Sequence, residues 1–290
     1  MRRPFLRAAA LAAAALVLTA QTPPPPPAPA AAAGEPIVIG RSYLVPSAVL
    51  HGNRRINVYL PPHYGAPGRR FPILFLLDGG AQEDFHHITG LVAISSAYGT
   101  TEEMIVVGVE GVERRHDLTS PSSDPGDLKA APTSGGAAAY RRFLVEELKP
   151  WVDARYGPSG RTALIGESLA GLFVVETALR EPAAFDDYIA ISPSLWWDRQ
   201  ALSREAGADL AGQRFEGRRL WLAIANEITL YPEMRQGMDR LVAALTATPK
   251  PGLKWSYTPF PGETHATVYH PAALAALRAL YALPPPKPAP

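Results

Sequence analysis

The chain has 290 residues, 47% of them hydrophobic, with 28 Lys and Arg against 27 Asp and Glu and a net charge of +1. The charges are interspersed, which argues against nucleic acid as a partner and against a polybasic membrane patch. Cysteine is absent, so disulfides, thiolate metal sites and a cysteine-linked lipid anchor are excluded.

Residues 1–20 read as a signal peptide. Arg2, Arg3 and Arg7 make a basic start, and Ala8–Ala20 is an apolar run too short to span a bilayer comfortably. The expectation is an exported protein, periplasmic or secreted, with no stable membrane insertion once the leader is cut after Ala20 or nearer Ala33. Residues 21–34 form a Pro/Ala-rich linker that cannot bury a core. Residues 35–283 have ordinary globular composition and length for one core, and residues 284–290 are a Pro-rich tail.

Within that domain, Pro36–Leu50 and Arg54–Leu60 alternate around His51-Gly52-Asn53, which predicts an antiparallel hairpin. Phe71–Leu77 and Met104–Val109 are continuous apolar runs and suit strands buried on both faces. The spacing over 136–156 predicts a long amphipathic helix with Leu144, Leu148 and Trp151 on one face. A strand over Thr162–Ile165 then runs into a helix that begins just after Ser168. Further strands are expected over Phe185–Ile191, Leu220–Ala225 and Leu253–Phe260, with helices over Glu233–Ala247 and Pro271–Leu283. That alternation predicts an α/β class: a mostly parallel central sheet with an antiparallel N-terminal hairpin and helices on both faces.

The chemistry centres on Gly166-Glu-Ser168-Leu-Ala-Gly171. A serine between strand and helix, flanked by small residues, has the pattern of a nucleophile elbow, with Ala170 where the second glycine usually stands. Ser168 would lie at a helix N-terminus, where the Leu169 amide can receive a developing negative charge. The plain alternative is that Ser168 only caps a helix. In folds that use this elbow the acid and then the base follow it, each after a later strand. Glu227, with Glu233 second, follows the Leu220–Ala225 strand. His265, with His270 as rival, follows the last strand. A second oxyanion donor is expected after the Phe71–Leu77 strand, at the Gly80 amide first and Gly79 second. The seven histidines are scattered, no metal site is expected, and the chemistry needs no cofactor.

Leu76-Leu-Asp-Gly-Gly80, Val109–Thr119, Gly166–Leu172, Ser192–Trp197 and Gly262-Glu-Thr-His265 occur in order. Together they resemble the Putative esterase family of α/β-hydrolases, whose relatives include esterase D, siderophore esterases, feruloyl esterases and mycolyltransferases. The resemblance implies an α/β-hydrolase fold with Ser168 as nucleophile, His265 as base, and the Leu169 and Gly80 amides as oxyanion hole. Arg114-Arg-His-Asp-Leu-Thr119 is similar to a pocket-lining Arg-x-Arg-Asp-Leu-Thr stretch of the siderophore-esterase branch. Arg114 matches its first arginine, and His116 replaces the second. Trp196 and Trp197 are placed to wall an aromatic or acyl pocket. The reading is an exported serine ester hydrolase acting on a small-molecule ester. An acyltransferase and a non-catalytic binding protein on the same fold are the alternatives.

Overall fold

Arg41–Ser47 (β1) and Gly52–Tyr59 (β2) pair antiparallel from Arg41 opposite Val58 to Ser47 opposite Gly52, with His51 at φ +51° in the turn. The structure, a computed structural model, describes residues 34–157, 160–228 and 231–284. The expected signal peptide, the linker up to residue 33 and the tail beyond residue 284 lie outside the described residues. The chain divides into two units, Met1–Val38 and Ile39–Pro290. Of the first, residues 34–38 are described; they are exposed and without regular structure.

The second unit continues with Ile73–Leu76 (β3), Phe85–Ala97 (α1), Ile105–Val109 (β4), Arg114–Asp117 (α2) and Pro125–Ala130 (α3). Next come Ala137–Arg142 (α4), a π-helical stretch Phe143–Leu148, Lys149–Tyr156 (α5), Thr162–Glu167 (β5), Leu169–Arg180 (α6) and Asp187–Ile191 (β6). Trp197–Gly212 (α7), Arg218–Ala225 (β7), Pro232–Ala247 (α8), Leu253–Phe260 (β8) and Tyr269–Tyr281 (α9) complete it. The eight strands form one sheet in the order β1-β2-β4-β3-β5-β6-β7-β8. β2 runs antiparallel to β4, and every pair from β4 to β8 is parallel. This is the α/β-hydrolase arrangement expected from the sequence.

Period-two alternation explains why the central strands read as unbroken apolar runs. Ile73 and Phe75 face the core under α4–α8, while Leu74 and Leu76 face the core under α1 and α9. β5 divides likewise, Leu164 to one side and Ala163 and Ile165 to the other.

The expected helix over 136–156 forms, with a π-helical interruption. Pro150 lacks the N–H an α-helix would use there, and just before it the Lys149 N–H reaches back to the Leu144 carbonyl. Four helices lie outside the sequence expectation, the short α2 and α3 and the longer α1 and α7. α1 carries β-branched residues, two histidines and Gly90, and α7 buries Gln200 and Ser203 beside Leu202 and Leu210. Neither shows a clean apolar stripe. No helix among the described residues is long and apolar enough to cross a membrane.

The sheet order reverses at β3, which has β4 on one side and β5 on the other. Ligands of open α/β sheets bind in the crevice at the carboxyl ends of strands beside such a reversal. Asp78–Gly80 leave β3 there, and Ser168 leaves β5.

Candidate active site

β5 continues to Glu167 and α6 begins at Leu169, so Ser168 alone turns the chain, at φ +61° and ψ −120°. A non-glycine residue at positive φ is strained, and structures retain such strain where a turn must be sharp. The small neighbours have physical reasons. A Cβ on Gly166 would stand 2.6 Å from the Ala170 Cβ. One on Gly171 would stand 2.9 Å from the Ile191 carbonyl oxygen and 3.1 Å from the Pro193 Cα. Leu169 opens α6, so its N–H has no acceptor within the helix.

The loops after β7 and β8 carry Glu227 and His265 to this turn. His265 Nε2 lies 3.0 Å from Ser168 Oγ, and His265 Nδ1 lies 2.9 Å from Glu227 Oε1. The Glu227 side chain is 1% exposed, and the edge of Tyr231 packs on the imidazole with ring centroids 5.5 Å apart. Of the two rival pairs, Glu233 is exposed in the first turn of α8. His270 instead stacks on His87, with Nδ1 3.0 Å from that ring's Nε2.

Ser168, Leu169, His265, Arg114, Trp196 and Trp197 all line one cavity of about 200 Å³. Arg114 is held over it by its Nε, which donates to Asp78 Oδ2 at 2.8 Å, and by Nη2, 3.3 Å from the Glu167 carbonyl. Arg115 also lines the cavity. His116 turns away, packs against Gly136 and bonds the Thr133 carbonyl. The wall made by the two tryptophans is fixed from behind. Trp197 Nε1 donates to the Ser120 carbonyl at 2.9 Å, and the first turn of α7 is left-handed at Asp198, Arg199 and Gln200. That turn grips the segment ahead of α3. Ser123 N donates to Asp198 Oδ1 at 2.8 Å, Asp198 N to Asp127 Oδ2 at 2.8 Å, and Arg199 Nε to Asp124 Oδ2 at 2.9 Å.

One expectation needs correction. The Gly80 amide donates to Glu83 Oε2 at 2.7 Å, and the Gly79 amide to the Val109 carbonyl at 2.8 Å. Both N–H groups are thus engaged rather than open to a ligand, because the turn after β3 closes on itself through Glu83, whose own amide bonds the Gly80 carbonyl.

Besides Tyr231 and Arg115, Ser194 and Glu167 stand at the site without being singled out by the sequence. Ser194, after β6, is buried with its hydroxyl 3.2 Å from Ser168 Oγ. Glu167 points its Oε1 to within 3.3 Å of His265 Nε2. Burial chiefly raises its carboxyl to about 8, with Asp84, Asp78 and Glu227 adding to the rise and Arg114 opposing it. Among the described residues no group of three or more His, Asp or Glu is placed to hold a metal ion.

The model of a family described as Putative esterase matches residues 47–235. Ferri-bacillibactin esterase BesA of Bacillus subtilis is 29% identical over 247 residues, which cover 78% of this chain and 84% of that protein. A siderophore enterobactin esterase of Emericella nidulans is 30% identical over 51% of this chain and 54% of its own length. Among solved structures, an IroE-like serine hydrolase from Shewanella oneidensis superposes with TM-score 0.76 at 24% identity, covering 83% of this chain and 80% of that one. The BES protein of Bacillus cereus does so at 0.73 and 25%, covering 87% of this chain and all of that one.

Proposed function

The chain belongs to the Putative esterase family, and from that premise we propose that it is a serine ester hydrolase working through an acyl-enzyme on Ser168. The observation that carries this reading is the unbroken relay Ser168 Oγ, His265, Glu227, with steps of 3.0 and 2.9 Å.

Ser168 Oγ attacks the ester carbonyl carbon while its proton passes to His265 Nε2. The carbonyl oxygen becomes an oxyanion and takes the Leu169 N–H at the positive end of α6. Glu227, facing Nδ1, fixes the ring's orientation and balances the imidazolium. That imidazolium then protonates the departing alcohol. In the second half His265 draws a proton from water, hydroxide adds to the acyl carbon, and collapse breaks the ester bond to Oγ, which takes the proton back from the imidazolium as the acid leaves. Beyond the ester and one water molecule, the cycle draws on Ser168, His265, Glu227 and the Leu169 amide.

The cavity supports a substrate class. Two tryptophan rings and the guanidinium of Arg114 suit an aromatic acyl group carrying polar or negative substituents. Relatives named for ferri-bacillibactin and enterobactin point the same way, so the proposed substrate is a siderophore-type ester. With His116 turned away, Arg115 rather than residue 116 would supply the second positive charge. The basic-then-apolar start of the sequence supports export as part of this proposal.

The test is hydrolysis of p-nitrophenyl esters, feruloyl esters and a cyclic siderophore trilactone, with Ser168→Ala alongside and a fluorophosphonate probe for the nucleophile. Turnover and labelling that both vanish in Ser168→Ala support the reading. Absence of turnover on every ester together with no labelling of the wild type overturns it.

A further inference from the structure

The elbow turn does not require Glu167. Its sharpness depends on Gly166, Ala170 and Gly171, and the position between Gly166 and the serine tolerates many side chains. This one nevertheless lies against the base. Glu167 Oε1 stands 3.3 Å from His265 Nε2, the same nitrogen that faces Ser168 Oγ at 3.0 Å. That Oε1 is buried and has no hydrogen-bond partner among the described residues. Buried polar atoms without a partner are costly, and one that persists calls for an explanation.

We propose that Glu167 is a positioning residue for the base: a second carboxyl group on His265, facing Nε2 as Glu227 faces Nδ1, whose ionised form makes Nε2 a stronger proton acceptor. The proposal deepens the serine-hydrolase reading and rests on it.

When Ser168 attacks, positive charge appears on the imidazole and negative charge on the acyl oxygen at the Leu169 amide. A carboxylate 3.3 Å from Nε2 is in direct contact with the positive end of that pair and favours its formation. A neutral carboxyl offers only a dipole. Glu167 therefore acts in proportion to its ionisation.

Which form is present depends on the surroundings. Burial first, then Asp84 at the head of α1, Asp78 after β3 and Glu227 after β7, push the carboxyl up to about 8, while Arg114 after β4 pulls it down. The Tyr269 hydroxyl of α9 also faces this cluster, and burial holds it far above its ordinary range, so it stays neutral across the window. His265 from the loop after β8 completes the set of facing groups. Glu167 is neutral near pH 7 and acquires its charge as the pH rises through about 8.

The experiment is the pH dependence of kcat/KM on an uncharged ester, and of the fluorophosphonate labelling rate, for wild type, Glu167→Gln and Glu167→Asp between pH 6.5 and 9.5. The expected result is a wild-type to Gln rate ratio that widens by about tenfold across that range as the carboxyl ionises. Asp, a shorter carboxylate, should restore part of the widening. A ratio constant with pH in both assays overturns the inference, because a purely structural loss lowers the rate equally everywhere. Should Gln prove unstable, an Asp variant whose ratio to wild type shows no pH dependence, while its labelling stays slow throughout, overturns it equally. Wild type that never labels overturns the hydrolase reading itself, and the inference with it. Labelling with parallel profiles overturns the inference alone.

Discussion

Ser194 holds Ser168 at two points: its amide donates to the Ser168 carbonyl at 2.9 Å, and its hydroxyl lies 3.2 Å from Ser168 Oγ. The loop after β6 thereby holds the elbow through both backbone and side chain. Ser194→Ala keeps the backbone bond and removes the hydroxyl contact. Turnover should fall by roughly 3–10-fold with folding intact, the range expected when one neutral hydrogen bond is lost. Unaltered kcat/KM would show that Ser194 only packs.

Ser168→Ala and His265→Ala should each remove about 10⁶-fold of kcat, since relay members act as a unit. Glu227→Gln preserves volume but offers an amide to Nδ1, and kcat should drop by roughly 10²–10⁴-fold. Glu233 is exposed in α8, and Glu233→Ala should leave steady-state kinetics within about twofold. Damage in Glu233→Ala with none in Glu227→Gln would reassign the acid.

Glu167 also links stability to pH. Its carboxyl rises from an ordinary 4.5 to about 8 in the folded chain. Between those values the native state binds a proton that the unfolded state has released, so stability falls as pH rises across the window. Glu167→Gln binds no proton in either state and lacks this slope. The variant should gain on wild type from pH 5 to pH 8 by on the order of 2–4 kcal/mol in urea unfolding. A stability difference that does not change with pH would contradict the raised value.

Gly171→Val places a branched side chain where the Ile191 carbonyl stands 2.9 Å and the Pro193 Cα 3.1 Å from a Cβ. The clash is with backbone, which cannot swing aside. A loss of about 2–4 kcal/mol in unfolding free energy is expected, with activity falling alongside because the elbow must shift. Gly207 in α7 has open space around its Cβ position, and Gly207→Ala serves as the control, expected to be neutral or stabilising.

How much of this was legible differs by element, for physical reasons. β8 can be read from Leu253 to Phe260 because its burial alternates along much of its length, and β3 because a strand covered on both faces has no polar interruption. α1 is opaque: His86, His87, Thr89 and Gly90 break its apolar stripe. At the site, residue type and chain order bring forward Ser168, His265 and Glu227, since each follows a strand end. Ser194 is invisible because its partner lies 26 residues away, and no short motif encodes that distance. Glu167 is hidden by the elbow pattern, which leaves that position open. Gly80 misleads because a sequence can locate a free-looking N–H but not the carboxylate three residues on that accepts it.

The left-handed turn at Asp198–Gln200 has a mechanical consequence. Its bonds to Ser123, Asp124 and Asp127 clamp the tryptophan wall to the segment leading into α3, and Ala130 and Ala131, at the end of α3, line the same cavity. The two sides of the mouth are thereby tied to each other through Asp198 and Arg199. With about 200 Å³ behind it, that mouth suits one arm of the siderophore-type ester proposed above better than a whole macrocycle.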